Sequence, residues 1–215
     1  PATDGSGNNR DNLRKASELL KEAGWQIDPK TRKLVNAKTG QPFELEFLLV
    51  SPLFERIALP YVKNLERLGI TATVRTVDSA QYRRRLDDYD FDVTVASWPQ
   101  SLSPGNEQRD FWTSAFADRP GSQNLVGIKS PVVDELVEGV IAAKNRQDLV
   151  DHVRALDRVL QWGSWVVPHW HIPYDRVAYW DKFGRPAVTP AQGVQLDTWW
   201  IDPAKADALS SRKSK

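Results

Sequence analysis

Residues 43–77, which read FELEFLLVSPLFERIALPYVKNLERLGITATVRTV, decide the fold. Phe43–Val50 begins as an alternation of apolar and acidic residues and then becomes continuously apolar, which is typical of a strand in the middle of a sheet. Leu53–Leu68 has apolar residues at helical spacing, and Pro60 within it predicts a kink or a broken start. Ile70–Val77 returns to alternation. Strand, helix and strand with short links predict a right-handed βαβ unit with parallel strands.

A further strand leads into a polar loop within residues 88–112, DYDFDVTVASWPQSLSPGNEQRDFW. Phe91, Val93 and Val95 alternate with polar residues, which predicts a strand with one buried face. After Trp98 the apolar pattern stops and Pro, Ser, Gly, Asn and Gln follow. Open α/β sheets bind ligands in loops that leave the carboxyl ends of their strands, so we expect the working surface here. Its indole, hydroxyls and amides are typical of recognition rather than of catalysis.

The segments on both sides of this unit predict helices and short strands. Ser130 is a suitable helix cap and Pro131 a suitable first residue, and the helix that follows is expected to pack on the sheet with its successor. The fold class is therefore α/β, with a mixed, mostly parallel sheet flanked by helices. The other expected elements are a helix from Asn9 or Asp11 to Gly24, a hairpin around residues 25–35, a short helix Ser79–Leu86, a helix Asp148–Gln161, and strand-like segments Trp165–His171 and Arg176–Trp180.

The charge balance gives no reason to expect nucleic acid or an acidic membrane as a partner. Lys and Arg number 29 against 28 Asp and Glu, so the formal net charge is +1. Arg83, Arg84 and Arg85 form a local basic cluster followed by Asp87 and Asp88, which we interpret as a solvated helix face. With 215 residues, 40% of them hydrophobic, the chain can form one large domain, or one domain with an appendage.

The sequence also limits membrane and redox chemistry. It has no run of about 18 apolar residues, so we predict no membrane insertion. It has no cysteine, which excludes disulfides and thiolate catalysis and is compatible with either redox compartment. The start, PATDGSGNN, lacks Met and is interpreted as that of a processed product or a fragment, and the end, LSSRKSK, is expected to be disordered.

Two residue pairs are candidates for metal or catalytic chemistry. His169 and His171 lie two apart on a predicted strand and could share a metal, but no third ligand is near them, and packed or hydrogen-bonded histidines are expected instead. Glu107 and Asp110 could form the acid/base pair of a hydrolase, but glycosidases usually take such carboxylates from separate elements. Gly-rich phosphate loops, GxSxG and HExxH are all missing. We therefore predict a non-enzyme without metal or cofactor.

Nine tryptophans require an interpretation. Trp98 follows a strand and precedes a polar loop, where an indole can cover a ligand and use its N–H, so we favour a functional role for it. For Trp112 and Trp170, core and ligand roles are equally open. Four others lie beside apolar runs and are predicted to be core residues: Trp25, Trp162, Trp165 and Trp180.

The order of several motifs resembles a known family. ASELLKEAGW, LGI followed by a strand, and YDFDVTVASW are similar to the C-terminal half of the solute-binding proteins of family 5, the oligopeptide- and dipeptide-type receptors of ABC importers. SLSPGNEQRDFW, GSQNLVGI and SPVVDELV further resemble the YejA-like branch, which includes microcin C and oligopeptide receptors. The resemblance extends from about Asn12 to Pro203.

This resemblance implies one lobe of a type II periplasmic-binding-protein-like fold, with the N-terminal lobe missing. By analogy, residues 1–8 are a flexible lead-in, 9–167 a ligand-binding lobe, 168–203 a hinge and a segment returning to the other lobe, and 204–215 a disordered tail. In the family the ligand is enclosed between the lobes, and closure delivers a monomeric periplasmic receptor to the ABC permease subunits in the membrane. Half of such a cleft should bind weakly, because most of a small ligand must be buried.

The resemblance also suggests individual ligand contacts. Trp98 matches the tryptophan that lines the cleft of the peptide receptors, which often place an aspartate for the peptide α-amino group a few residues later. This sequence has Pro99, Gln100, Ser101 and Leu102 there. Either Glu107 or Asp110 replaces that acid, or the ligand lacks a free amine.

We therefore expect reversible binding of peptides or peptide-like solutes. Asn124 matches the asparagine that precedes the family's loop into its paired helices, so a cleft contact is expected for it as well. A hydrolase that uses Glu107 and Asp110, and a sensor without an importer, stay as alternatives. The expected ligand-binding residues are Trp98, Gln100, Ser101, Ser103, Asn106, Glu107, Arg109 and Asn124.

Overall fold

The computed structural model describes residues 4–169, 174 and 176–213. The chain divides into two compact units, Pro1–Val166 and Val167–Lys215, which are described separately. The limits that we assigned to the lobe and to the hinge segment stay a prediction.

The first unit begins with a helix and a hairpin. Helix α1 (Arg10–Glu22) is followed by β1 (Trp25–Ile27) and β2 (Leu34–Asn36), which pair antiparallel. The predicted helix and hairpin are therefore confirmed. Asn9 precedes α1 without capping it, because its Oδ1, the atom that would accept from a helix N–H, accepts from Arg67 Nη1 at 3.1 Å instead.

The predicted βαβ unit is confirmed as well. Strand β3 (Glu44–Leu49) and strand β4 (Thr71–Thr76) pair in parallel over their full lengths and are joined by α2 (Glu55–Arg67). A 3-10 turn, Pro52–Phe54, precedes α2, so the element has a broken start, and Pro60, on which we based that prediction, lies inside the helix.

The third strand of this sheet is much shorter than its sequence pattern indicates. Helix α3 (Ser79–Asp87) leads into β5 (Val93–Thr94), which pairs in parallel with β3, so the strand order is β4-β3-β5. Side chains extend this short pairing. The Thr94 hydroxyl donates to the carbonyl of Leu48 at 3.1 Å, and the Tyr82 hydroxyl donates to the carbonyl of Val95 at 3.0 Å.

Arg85 also ties α3 to the sheet. Its guanidinium lies 2.8 Å from Glu46 Oε1 on β3 and 2.8 Å from Asp90 Oδ2, and its side chain is only 14% exposed. Our interpretation of the arginine cluster as a solvated helix face is therefore wrong for Arg85, although Arg83 pairs with Asp87 on the surface. The acidic partners of Arg85 come from a neighbouring strand and from the following loop, which sequence spacing alone does not bring together.

The sheet buries its apolar residues against α2 and the β1–β2 hairpin. Leu49, at 1% exposure, lies at the centre of this first apolar cluster. Its other buried members are Leu34, Phe47, Ala58, Val62, Leu65, Ile70 and Ala72.

The remaining helices of the first unit have an apolar cluster of their own. Helices α4 (Glu107–Trp112), α5 (Pro131–Ile141) and α6 (Arg146–Trp162) contact one another in order. We expected the later helices to pack on the sheet, but the described part of this cluster contains no residue of the sheet. Phe111 and Trp112 of α4 pack in the same cluster as the apolar residues of α5, so these residues are buried without a contribution from the strands. The buried members are Phe111, Trp112, Ile128, Val133, Val137, Val140 and Leu156.

Asn124 holds the loop between α4 and α5. Its side chain is 0% exposed, and its amide nitrogen donates to the carbonyls of Thr113 at 3.0 Å and Ile128 at 3.1 Å. Its Oδ1 accepts from the Ile128 N–H at 3.0 Å. One side chain thus satisfies three backbone groups in the interior of a loop, where an unpaired group would be costly.

The second unit contains a small hairpin and a helix. Strand β6 (Phe183–Gly184) pairs antiparallel with β7 (Trp200–Ile201), and α7 spans Pro203–Lys213. The strands that we predicted differ from these. Within the described residues, 165–169 and 176–180 form no strand, and Trp170 and His171 lie outside the described residues.

The segment that we expected to form a disordered tail begins within α7, where Asp202 and Pro203 supply a helix start and Asp202 Oδ1 accepts from the Lys205 N–H at 3.2 Å. The disorder of residues 204–215 stays a prediction. The expectation for two tryptophans is wrong. Trp162 and Trp180, predicted to be core, have exposures of 83% and 61%, whereas Trp25 and Trp165 are half-buried and pack against the first and second clusters.

Gly69 and Gly24 give a matched pair for testing backbone strain. Both have positive φ, +82° and +87°, but a Cβ on Gly69 would lie 2.6 Å from Ile27 Cδ1 and 2.9 Å from the Leu34 nitrogen, whereas one on Gly24 meets nothing within 4 Å. We expect Gly69→Ala to lower the free energy of unfolding by about 1–3 kcal/mol more than Gly24→Ala. Urea unfolding of the two variants measures the difference, and equal losses would contradict the close packing of the hairpin on Gly69.

Asn124 is expected to be a stability residue. Asn124→Ala removes the partner of three buried backbone groups and should cost about 2–4 kcal/mol of unfolding free energy. Asn145→Ala is the control, because the exposed Asn145 caps α6 with one bond to the Asp148 N–H at 3.0 Å and should cost about 1 kcal/mol. Similar losses for the two variants in urea unfolding would show that burial of Asn124 adds nothing.

Candidate ligand-binding surface

The candidate surface lies at the carboxyl edge of the sheet. Since β3, β4 and β5 are parallel, their carboxyl ends meet at one edge, and residues 97–105 leave the sheet there after β5. The continuation of β3 exposes two apolar side chains, Val50 and Leu53. We call residues 97–105 the exit loop.

Trp98 forms the base of the exit loop. Its indole N–H donates to the carbonyl of Gln123 at 2.9 Å, and its ring centroid lies 5.0 Å from that of Trp112. The side chain is half-buried against the second apolar cluster. Trp98 therefore has a structural role, and only part of its ring is accessible to a ligand.

Gln108 connects this base to the exposed part of the loop. It is 4% exposed, and its Oε1 accepts from Trp112 Nε1 at 3.0 Å. Its amide nitrogen donates to Gln100 Oε1 at 2.8 Å and to Glu107 Oε1 at 3.2 Å. Gln100 and Glu107, both predicted as ligand contacts, are thus brought together by a residue that the sequence analysis did not select.

Glu107 is held as an anion by its own loop. Its Oε1 accepts from the backbone N–H of Gly105 at 2.8 Å. This hydrogen bond, with a smaller contribution from Gln108, lowers the pKa of Glu107 below its usual value. A general acid needs the opposite shift, so the geometry does not favour Glu107 as the proton donor of a hydrolase.

Arg109 is committed to an ion pair between α4 and α5. Its Nε and Nη2 each lie 2.6 Å from one carboxylate oxygen of Glu138, and its Nη1 donates to Asn106 Oδ1 at 2.9 Å. The hydrogen bond with Glu138 raises the pKa of Arg109, and its counterpart lowers that of Glu138. This bidentate pair leaves little of the Arg109 charge for a ligand.

Asp110 and Asn124 face the protein rather than the exit loop. Asp110 Oδ1 accepts from the backbone N–H of Gln123 at 3.3 Å. Asn124 is fully buried among backbone groups, as described above. Neither side chain is thus placed on the exposed side of the exit loop.

The exposed side of the exit loop is neutral. Gln100, Ser101 and Ser103 are exposed there, together with Leu102 at 58% exposure. The Ser103 N–H donates to Ser101 Oγ at 3.1 Å, and Arg146 on α6 donates to the carbonyl of Leu102. This side offers hydroxyls, an amide and an apolar side chain on a braced backbone.

No metal-binding group emerges from the described residues. Within 4–169, 174 and 176–213, the structure gathers no set of three His, Cys, Asp or Glu that could hold a metal ion. The proposed partner of His169, His171, lies outside these residues. None of the helices in the described ranges is long and apolar enough to cross a membrane.

Gln108 and Trp112 support the surface from beneath, and the exposed Glu138 pairs with Arg109 beside it. The sequence contains a partial signal for the first two. Gln108 and Trp112 are four residues apart on a helix, the spacing at which side chains meet. No such spacing links Arg109 to Glu138, which are 29 residues apart, so this pair requires the tertiary structure.

Comparison with known proteins identifies the family. Residues 1–119 match the profile described as bacterial extracellular solute-binding proteins, family 5 Middle. The probable peptide-binding protein YejA of Agrobacterium fabrum is 51% identical over 196 residues, which cover 91% of this chain and 32% of that protein. The peptidoglycan-binding protein YepA of the same species is 39% identical over 200 residues, covering 93% of this chain and 32% of that protein.

The chain therefore spans about a third of the length of these curated relatives. Among solved structures, the oligopeptide-binding protein AppA of Bacillus subtilis, in complex with a nonapeptide, superposes with a TM-score of 0.60 at 22% identity, over 68% of this chain and 29% of that chain. This likeness confirms the predicted type II periplasmic-binding-protein fold. The predicted family is confirmed as well, and the chain belongs to the bacterial extracellular solute-binding proteins of family 5.

Proposed function

We propose that this chain is one lobe of the substrate-binding component of an ABC importer and that it captures peptides or peptide-like solutes. The observation that carries the proposal is the exit loop, a braced and neutral hydrogen-bonding surface at the carboxyl edge of a parallel sheet. Family membership and the peptide- and peptidoglycan-binding relatives support this ligand class. Binding is reversible and involves no catalysis.

In this proposal the predicted contact residues have different roles. Gln100, Ser101 and Ser103 offer neutral hydrogen bonds to the polar main chain of a peptide, and this suits a receptor that tolerates many sequences. Trp98 contributes the accessible part of its ring. Asn106, Glu107 and Arg109 form the rim of the surface, and Asn124 acts from beneath by shaping the loop that carries Gln123.

A single lobe provides one wall of the cleft. Useful affinity for a small ligand requires burial of most of its surface, so the second wall comes from the rest of a longer, two-lobed protein. In this proposal that protein is a periplasmic monomer, and closure of its lobes around the ligand presents it to the ABC permease subunits. Its ligand affinity should therefore be measured on the full-length protein.

The test is calorimetric titration of the full-length protein with a mixture of short synthetic peptides, followed by the components that bind. We expect the double variant Gln100→Ala/Ser101→Ala to raise the Kd about tenfold, because two neutral hydrogen bonds of roughly 0.5–1.5 kcal/mol each are lost. Because Gln100 also accepts from the buried Gln108 amide, the melting temperature should fall somewhat, and the Kd is therefore measured well below it.

The matched control is Ser17→Ala/Gln147→Ala. Ser17 is exposed on α1, and Gln147 is exposed on α6 with its amide donating to Asp151 Oδ1 at 2.9 Å. This control should bind with the wild-type Kd. If no peptide binds the wild type, the function is wrong. If the exit-loop variant binds as tightly as the control, the exit loop is not the ligand surface.

A further inference from the structure

Gln108 makes an arrangement of bonds that only a side-chain amide completes. It must accept from the indole N–H of Trp112 at 3.0 Å and donate to Gln100 Oε1 at 2.8 Å. An apolar side chain does neither, and a carboxylate only accepts. The site is 4% exposed, so water cannot easily replace a missing partner.

This arrangement fixes the orientation of the Gln100 amide. The oxygen of Gln100 points inward because it accepts from Gln108, and its NH₂ group is therefore the part directed away from Gln108. Within the described residues, the Gln100 NH₂ group donates no hydrogen bond to the protein. Since Gln100 is exposed, this donor faces the space where the proposed function places the ligand.

We propose that Gln108 is a positioning residue that holds Gln100 with its NH₂ group outward, so that the exit loop selects ligands with a hydrogen-bond acceptor, such as a peptide carbonyl, at this point. The proposal rests on the proposed function. The indole of Trp112 locks Gln108 in turn, because its N–H can only donate and thus fixes which end of the Gln108 amide faces it. The order Trp112, Gln108, Gln100 therefore determines the polarity of the surface.

Gln108→Glu tests this orientation with little change in shape. At pH 8 the new carboxylate still accepts from Trp112 but cannot donate, so the Gln100 amide turns over and presents its oxygen outward. We expect the Kd for a bound peptide to rise about fivefold, the equivalent of roughly one hydrogen bond. The measure is the ratio of variant to wild-type Kd, because effects of pH on the peptide itself then cancel.

The ratio of the Gln108→Glu Kd to the wild-type Kd should fall towards one at about pH 5. The Glu107 carboxylate in contact with position 108, together with burial, favours the neutral form of the new carboxyl group. Its single O–H is shared between Gln100 and Glu107, so the recovery of affinity is partial. The other charged groups nearby are Arg109 and Asp110 on α4, Glu138 on α5 and Arg146 on α6, which donates to the carbonyl of Leu102. Arg109 and Glu138 offset each other's charge. Gln147→Glu on exposed α6 is the control, with an expected ratio of one at both pH values.

Repeating the measurement in a Gln100→Ala background distinguishes a purely structural role of Gln108 from an effect that acts through Gln100. If Gln108 acts through Gln100, Gln108→Glu then causes no further loss of affinity and no pH-dependent recovery, although its effect on melting temperature persists. If Gln108→Glu does not fold, Gln100→Glu on the exposed loop serves instead, because it keeps the inward oxygen and replaces the outward NH₂ group, and it should also raise the Kd about fivefold.

The outcomes distinguish the two proposals. A wild-type protein that binds no peptide overturns the proposed function and this inference with it. A wild type that binds peptide, with a Kd ratio of one for Gln108→Glu at both pH values, overturns only the inference. The same holds if the loss of affinity persists unchanged in the Gln100→Ala background.

Discussion

The parallel pairing of β3 with strands on both sides is the constraint on which the rest of the first unit depends. It buries Leu48 and Leu49 almost completely and sends the chain off the sheet at one edge after each strand. The pairing is unequal, because β4 matches β3 along six residues while β5 matches it along two. The exit loop comes directly after β5, the strand with the shorter pairing. Its position therefore requires hydrogen bonds other than those between the strands.

Those bonds come from α3 and from the charged residues before β5. Tyr82 reaches the carbonyl of Val95, and Arg85 lies between Glu46 and Asp90. Asp92 adds a bond from the other direction, since its carboxylate accepts from the Glu46 N–H at 2.8 Å. A strand of two residues is marginal by itself, and these contacts with the central strand fix where the exit loop starts.

The sequence predicted the parts of this structure that depend on local periodicity. The βαβ unit and the α5 cap follow from spacing that can be counted along the chain. Predictions were wrong where a long-range partner determines the outcome. Arg85 is mostly buried because of acids on other segments, and residues 176–180 form no strand although their pattern suits one, since a strand requires a neighbour to pair with. The candidate loop was likewise recognisable by composition, but the partners of Glu107 and Arg109 were not.

The charged residues of α4 lie beside the exit loop, whose own side chains are uncharged, and each of them has a hydrogen-bond partner within the protein. Glu107 is occupied by Gly105 and Gln108, Arg109 by Glu138, and Asp110 by Gln123. Arg109 and Glu138 offset each other's charge, whereas a hydrogen bond from a neutral backbone N–H leaves the charge of Glu107 in place and only engages its oxygen. The same bonds brace the backbone on which the neutral side chains stand, and a braced surface loses less conformational freedom on binding. Where the family resemblance led us to expect an acid, the exit loop presents Gln100, whose oxygen accepts from the buried Gln108. In our proposals this fixed amide gives the ligand surface a hydrogen-bonding direction.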